Sequence, residues 1–353
     1  MEPRRLLRLL RGGALNPADA LGEIGFWLER ERAVTYKVQA FRKAAAAIAG
    51  LGVDDLRKRR EQGGLQRIAG IGARTAEVIE QALDGEVPGY LADLRERNTE
   101  PLVAGGEEVR AALRGDLHTH SDWSDGGSPI DVMARTAAWR GHEYMVLTDH
   151  SPRLTVANGL SAERLAEQLD VVSEVDAGID DFRLLSGIEV DIHEDGSLDQ
   201  TPEMLDRLDV VVASVHSKLR MDRGPMTRRM LKAVADPHTN VLGHCTGRLI
   251  EGSRGKRPES QFDAKRVFAA CAEHDVAVEI NARPERRDPP DPLIETALEA
   301  GCLFSIDSDA HAPGQLDFLD HGAARVAELG VPLDRVVTTW PVDRLLAWSH
   351  AGR

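Results

Sequence analysis

The sequence predicts a two-domain chain, all-α at its N-terminal end and α/β from about residue 115, where a barrel-like parallel sheet is wrapped by helices. Three observations predict it. At 353 residues the chain exceeds one typical domain. Charge and histidine are unevenly spread: residues 1–100 carry 17 Lys/Arg against 15 Asp/Glu, the remainder 27 against 43, and none of the 12 histidines lies in the first 100 residues. The hydrophobic period also changes, from helical spacing in the first region to short β-rich runs alternating with helical stretches in the second.

Composition excludes several classes. With 42% hydrophobic and 29% charged residues the chain can bury a core, and it is neither disordered nor fibrous. Only three cysteines occur, Cys245, Cys271 and Cys302, with no CxxC pair, so a disulfide scaffold or a thiolate zinc ribbon is excluded. No apolar run approaches bilayer length, and arginines break the leucines of MEPRRLLRLLRGG. The expectation is a cytoplasmic protein with no membrane partner. The acidic total of −14, taken alone, weighs against a nucleic-acid partner.

In the first region, Asn16 and Pro17 form a cap and first-turn signal, followed by Leu21, Ile24 and Leu28 at helical spacing. A second helix carries Val38, Phe41, Ala45 and Ile48 on one face and Lys37, Arg42 and Lys43 on the other. Residues 65–83 read as two short helices joined by Gly70-Ile71-Gly72, with Leu65 and Ile68 before the turn and Ala76, Ile79 and Leu83 after it. Such a turn is either a tight αα connection or a site where backbone N–H groups and the helix dipole receive a phosphate oxygen.

In the second region the β-rich runs are 115–120, 144–150, 184–192, 209–216, 240–245, 276–282 and 303–311, with helical segments such as 129–140, 161–177, 224–235 and 261–274 between them. Six of these runs end in a potential metal ligand: His118 with His120, His150, Glu189, His216, His244, and Asp309 with His311. The loop after the first run adds Asp125, and the sixth run ends in Asn281. In a parallel barrel the C-terminal strand ends share one mouth, and residues i and i+2 of a strand point to one face. Independent core histidines would not choose the same end of successive strands. His142, His193, His238, His274, His321 and His350 close no apolar strand and are set aside. Nine nitrogen and oxygen donors are too many for one ion and suit two or three divalent metal ions, with Mn, Zn and Fe all compatible. Such a cluster favours phosphoester hydrolysis.

DLHTHSDWSDG, VLTDHS, GIEVDI, SVHS, GHCTGR and SDAH resemble the successive motifs of the PHP (polymerase and histidinol phosphatase) family, over about residues 114–349. The resemblance implies a distorted (β/α)7 barrel with a trinuclear site. His118, His120, Glu189 and Asp309 would hold one metal, Glu189 would bridge to a second held by His216 and His244, and Asp125, His150 and His311 would hold the third. Glu189, His120 and Asp309 would stand at its catalytic centre. VANGLS, EVDIHEDGSLD, EINARPERRD, AHAPGQLDF and TTWPVDRLL resemble the PHP domain of bacterial family X DNA polymerases, and residues 17–97 resemble their helix-hairpin-helix domain. The implied organisation is a DNA-binding domain over 1–97, a linker over 98–113 and a PHP metallophosphoesterase domain over 114–353, with no segment long enough for polymerase palm and fingers. Two departures stand out. Val78 occupies the place of the Schiff-base lysine of eukaryotic lyase relatives, with Arg74 the neighbouring basic residue. Cys245 follows His244 where this branch usually has proline.

The implied function is a metal-dependent 3′-5′ exonuclease or 3′-end-processing enzyme of DNA repair. Gly70, Gly72 and Arg74 would contact the DNA backbone without reading sequence, and Lys218, Arg248 and Arg283, which follow strand ends, would hold phosphate oxygens or pair on the surface. Trp123 would stack on a terminal base or pack on the rim. The alternative is a small-molecule phosphomonoesterase such as a histidinol phosphatase, which needs no helix-hairpin-helix. The acidity does not exclude DNA, because it belongs to the second region and includes the ligands Asp125, Glu189 and Asp309.

Overall fold

The computed structural model describes residues 15–252 and 255–351. The leucine–arginine start of the sequence lies outside the described residues. These fall into two compact units divided between Pro101 and Leu102, the short stretch Pro313–Gln315 counting with the first.

The first unit is helical. α1 (Pro17–Arg30) starts at Asn16, whose side chain accepts a hydrogen bond from the Ala18 N–H at 3.0 Å. Its apolar stripe, Leu21, Ile24 and Leu28, is fully buried. α2 (Thr35–Ile48) buries Val38, Phe41, Ala44 and Ile48; Ala44 takes the place expected of Ala45, which is half-buried. α3 (Val53–Glu61) precedes the hairpin. The expected short helix before Gly70 is a single 3-10 turn, Leu65–Arg67. Gly63 (φ 60) and Gly70 (φ 91) bound this segment with left-handed backbone, and within it Arg67 N–H returns to Gly64 O at 3.0 Å and Ile68 N–H to Leu65 O at 3.1 Å, the i to i−3 bonds of a 3-10 turn. α4 (Ala73–Leu83) follows Gly72 and buries Ala76, Val78, Ile79 and Leu83. α5 (Gly89–Arg97) completes the unit. Val78, at the lyase-lysine position, is enclosed in this apolar face.

The stretch expected to be a linker is partly structured. α6 (Glu107–Ala112) lies within it, and Val109 and Leu113 are buried in the core of the second unit. The seven strands β1 (Gly115–Thr119), β2 (Tyr144–Leu147), β3 (Arg183–Asp191), β4 (Val210–Ser214), β5 (Val241–Leu242), β6 (Ala277–Asn281) and β7 (Phe304–Asp307) pair in sequence order, every pair parallel. A bridge between Thr119 and Ala310, with His120 N–H donating to Ala310 O at 2.8 Å, brings the first and last strands together in a nearly closed barrel. The right-handed βα crossovers of parallel strands place the helices outside. Between its paired positions Asp116 and Thr119, β1 holds one residue more than β2, a bulge flanking His118. β3 is long enough to serve two neighbours: Arg183–Ser186 pair with β2, and Gly187–Asp191 with β4. Glu189 therefore sits mid-sheet at the barrel mouth. No helix among the described residues is long and apolar enough to cross a membrane.

Candidate metal centre and hairpin surface

Strand alternation and parallel direction deliver the ligands to one mouth. Glu189 is at its centre and is 1% exposed. Its Oε2 lies 3.2 Å from His118 Nε2, 2.9 Å from His150 Nδ1 and 3.6 Å from His120 Nε2. Its Oε1 lies 2.8 Å from His244 Nε2 and 3.2 Å from His216 Nε2. Asp309 Oδ1 is 3.6 Å from His120 Nε2 and 3.4 Å from His311 Nδ1. Asp125 Oδ1 is 3.4 Å from His150 Nε2 and 3.3 Å from His311 Nε2. All nine residues thus converge. They form four overlapping groups able to hold an ion: His120, Asp125, His150 and His311; His118, His120 and Asp309; His118, Glu189 and His244; His150, Glu189 and His216.

The donors fit a metal. His118 Nε2, His120 Nε2, His216 Nε2 and Glu189 Oε1 are buried and make no hydrogen bond among the described residues, a state that buried polar atoms avoid unless a further partner is supplied. Electrostatics agree. Burial disfavours the charged form of His120, and the neighbouring His311 and His150 add to it, so its pKa falls well below the usual range. Burial acts against the charge of His150 as well, but the Glu189 and Asp125 carboxylates outweigh it and raise its pKa to about 10. Burial penalises the Glu189 carboxylate, yet His118, His216 and His150 hold its pKa well below the ordinary value. Several imidazoles therefore compete for one carboxylate, the charge problem that divalent cations would resolve.

A supporting layer holds these groups. Glu279, buried in β6, lies with Oε1 2.6 Å from His118 Nδ1 and accepts the His244 backbone N–H through Oε2. Asn281 Nδ2 donates to Asp309 Oδ2 at 3.1 Å and to Glu279 Oε2 at 3.2 Å. Asp149 accepts from Ser121 N–H at 2.8 Å, Ser121 Oγ at 2.6 Å, Gln168 Nε2 at 2.7 Å and the Ser124 hydroxyl, which fixes the loop carrying Asp125. Asp309 adopts φ 51, a left-handed backbone that a non-glycine residue holds only when its surroundings enforce it. Glu279 was not anticipated, although it stands two residues before Asn281 and so on the same strand face. Asp149 was likewise missed; its role depends on packing rather than on motif.

The three cations expected to hold phosphate separate. Arg283 donates Nη1 to Asp309 O at 2.7 Å, with His311 Nδ1 at 3.0 Å, so it lies at the site but is engaged there. The Arg248 guanidinium is turned to the backbone carbonyls of Arg286 and Arg287 and to Glu259, so it braces that loop. Lys218 is exposed, in a left-handed turn. Trp123 packs against two core clusters as a rim residue.

In the first unit the hairpin borders a cavity of about 470 Å3 lined by Tyr36, Lys37, Phe41, Gly70, Arg74 and Tyr90 among others. Lys37 Nζ and the Arg74 guanidinium lie 5.3 and 4.8 Å from the centre of the Tyr90 ring. Arg74 also pairs with Glu77 at 2.7 Å. The Gly72 N–H is not free, since it donates to Thr75 Oγ1 at 2.9 Å.

Residues 116–283 match the family described as "PHP domain", and residues 15–87 match that described as "Helix-hairpin-helix domain". Over 210 residues, 60% of the chain, the protein is 38% identical to the DNA polymerase/3'-5' exonuclease PolX of Bacillus subtilis (strain 168), of which it spans 36%. It is 27% identical over 235 residues to a probable phosphatase of Thermoanaerobacter sp. (strain X514), covering 64% of this chain and 89% of that protein. Among solved structures, histidinol phosphate phosphatase from Lactococcus lactis subsp. lactis matches 62% of this chain and 94% of its own, with 18% identity and a TM-score of 0.45.

Proposed function

The chain joins a helix-hairpin-helix domain to a PHP domain and is a metal-dependent phosphoesterase, and from that premise we propose that its substrate is DNA. On this reading it is a 3′-5′ exonuclease or 3′-end-processing phosphodiesterase or phosphatase acting in DNA repair, without polymerase activity. The observation that carries it is the presence, in one chain, of a nine-donor hydrolytic mouth around Glu189 and a helix-hairpin-helix unit bearing Lys37 and Arg74 beside its hairpin. A phosphatase of small substrates has no use for the second. The 38% identity to a polymerase/3'-5' exonuclease supports the same reading.

On this proposal residues 1–97 bind the duplex backbone without reading sequence, through Gly70, Gly72 and Arg74, and residues 114–353 hydrolyse it. His118, His120, Glu189 and Asp309 would hold one ion, Glu189 with His216 and His244 a second, and Asp125, His150 and His311 a third. Mn, Zn and Fe all suit this donor set. Divalent ions bound there supply Lewis-acid activation of water and neutralise phosphoryl oxygens. The chain's own contribution is to hold the donors rigid. The two oxygens of Glu189 face different imidazoles, Glu279 fixes the ring of His118, and Asp149 fixes the Asp125 loop.

A second reading, a small-molecule phosphomonoesterase, is favoured by relatives called probable phosphatases, one of which the chain covers over 89% of its length. One panel separates the two. Metal-loaded protein is assayed on DNA with 3′-hydroxyl and 3′-phosphate ends and on histidinol phosphate. The proposal expects turnover of at least one DNA end, and turnover of histidinol phosphate alone would overturn it.

A further inference from the structure

One cation at the barrel mouth has no role in the assignments above. Arg286 lies in the turn after β6 and is a buried residue, at 9% exposure. Its Nε stands 3.2 Å from Asp309 Oδ2. That oxygen is the one turned away from the imidazoles, since His120 and His311 face Oδ1. Asp309 is thus divided between ligand histidines on one side and Arg286 with Asn281 on the other.

The guanidinium is not satisfied by this contact. Nε has the ion pair with Asp309, whereas Nη1 is buried and makes no hydrogen bond among the described residues. A buried charged donor left without an acceptor is costly, so such a group persists where a ligand completes it. The neighbouring cations do not share this property. Arg283 spends Nη1 on the Asp309 carbonyl, and Arg248 is committed to the carbonyls of Arg286 and Arg287. Those last bonds hold the backbone of Arg286 itself. Asp288, two residues on, accepts from Thr246 N–H at 3.0 Å and Thr246 Oγ1 at 2.8 Å, and its carbonyl accepts from Asn281 N–H at 2.9 Å. The turn that carries Arg286 is therefore braced from both sides before any substrate arrives.

We propose that Arg286 is the phosphate anchor of this site: Nη1 donates to a non-bridging oxygen of the substrate phosphoryl group, while Nε against Asp309 keeps the side chain in place. A planar guanidinium with directed N–H groups is suited to an oxyanion of a phosphate mono- or diester. The inference rests on phosphoester hydrolysis at the Glu189 mouth. It assigns the anchoring role to Arg286 in place of Lys218, Arg248 and Arg283.

The test uses the full chain loaded with Mn2+, as wild type, Arg286→Gln and Arg286→Lys. Metal content is measured by mass spectrometry, inorganic phosphate binding by calorimetry, and steady-state kinetics with bis(p-nitrophenyl) phosphate. Both variants are expected to keep the wild-type metal content. In Arg286→Gln the phosphate dissociation constant should rise about tenfold to a hundredfold, as expected for losing a hydrogen bond between charged groups. KM should rise with it, and Arg286→Lys should recover part of the loss. Phosphate affinity within twofold of wild type in Arg286→Gln, with metal retained, overturns the proposal. Loss of metal from both variants overturns it too, because Arg286 would then be a strut for Asp309. A wild-type protein that neither binds phosphate nor cleaves any phosphoester would instead sink the hydrolytic reading on which the proposal rests.

Discussion

His118 Nδ1 stands 2.6 Å from Glu279 Oε1, so an imidazole that turns Nε2 toward Glu189 is held from behind by a second buried carboxylate. Such a contact fixes the ring, selects the tautomer with Nε2 available and increases its basicity as a ligand. Glu279→Gln keeps the volume and removes the charge. Metal affinity or activity should fall about tenfold to a hundredfold with the fold intact. Metal competition with a chelating dye, alongside circular dichroism, checks it, and unchanged affinity would mean that Glu279 serves packing alone.

Both carboxylate oxygens of Glu189 face ligand imidazoles. Glu189→Gln should reduce hydrolysis to the background of the metal-free protein. DNA binding, measured by fluorescence anisotropy, should stay within about twofold, because the hairpin belongs to the other compact unit. Full hydrolysis in this variant would exclude a mechanism centred on the Glu189 mouth.

Metal removal should make stability depend on pH in a defined direction. His150 in the metal-free protein has its pKa raised to about 10: burial opposes its charge, but Glu189 and Asp125 outweigh it. A raised histidine pKa contributes stability that is fully present below the unfolded value of about 6.5 and is lost as pH rises through the folded value. The melting temperature of chelator-treated protein should therefore decline between about pH 6.5 and pH 10. Metal-loaded protein should lack this component, because ligation needs the imidazole deprotonated. Thermal melts of both forms across that range provide the check, and parallel curves would contradict it.

Gly70 has φ 91, which an L side chain rarely adopts. Gly70→Ala should destabilise the first unit by about 1–2 kcal/mol and weaken DNA binding by displacing the hairpin. Hydrolysis of bis(p-nitrophenyl) phosphate by the same variant should be unchanged. Loss of both activities together would show that the two units do not act separately.

Much of the fold was legible because strand and helix periods are local properties. The runs 115–120, 144–150 and 276–282 hold β1, β2 and β6, and the cap at Asn16 starts α1. Less legible were features set by competition between neighbouring segments. The hairpin's first helix shrank to Leu65–Arg67 between two left-handed glycines. Within the stretch read as a linker, Val109 and Leu113 found a core to join. Arg248 braces a loop because the carbonyls of Arg286 and Arg287 lie within its reach, a contact that no local pattern announces.

By itself the sequence determined which residues could be donors and that they would meet, since ligands at successive C-terminal strand ends share one mouth in any parallel barrel. Only the tertiary structure decided which donors face one another and which groups stand behind them. Glu279 behind His118, Asp149 beneath the Asp125 loop and Arg286 against Asp309 are contacts across 161, 28 or fewer, and 23 positions of chain. No local period encodes such contacts, because they are selected by the burial of polar atoms that must find partners once the barrel closes.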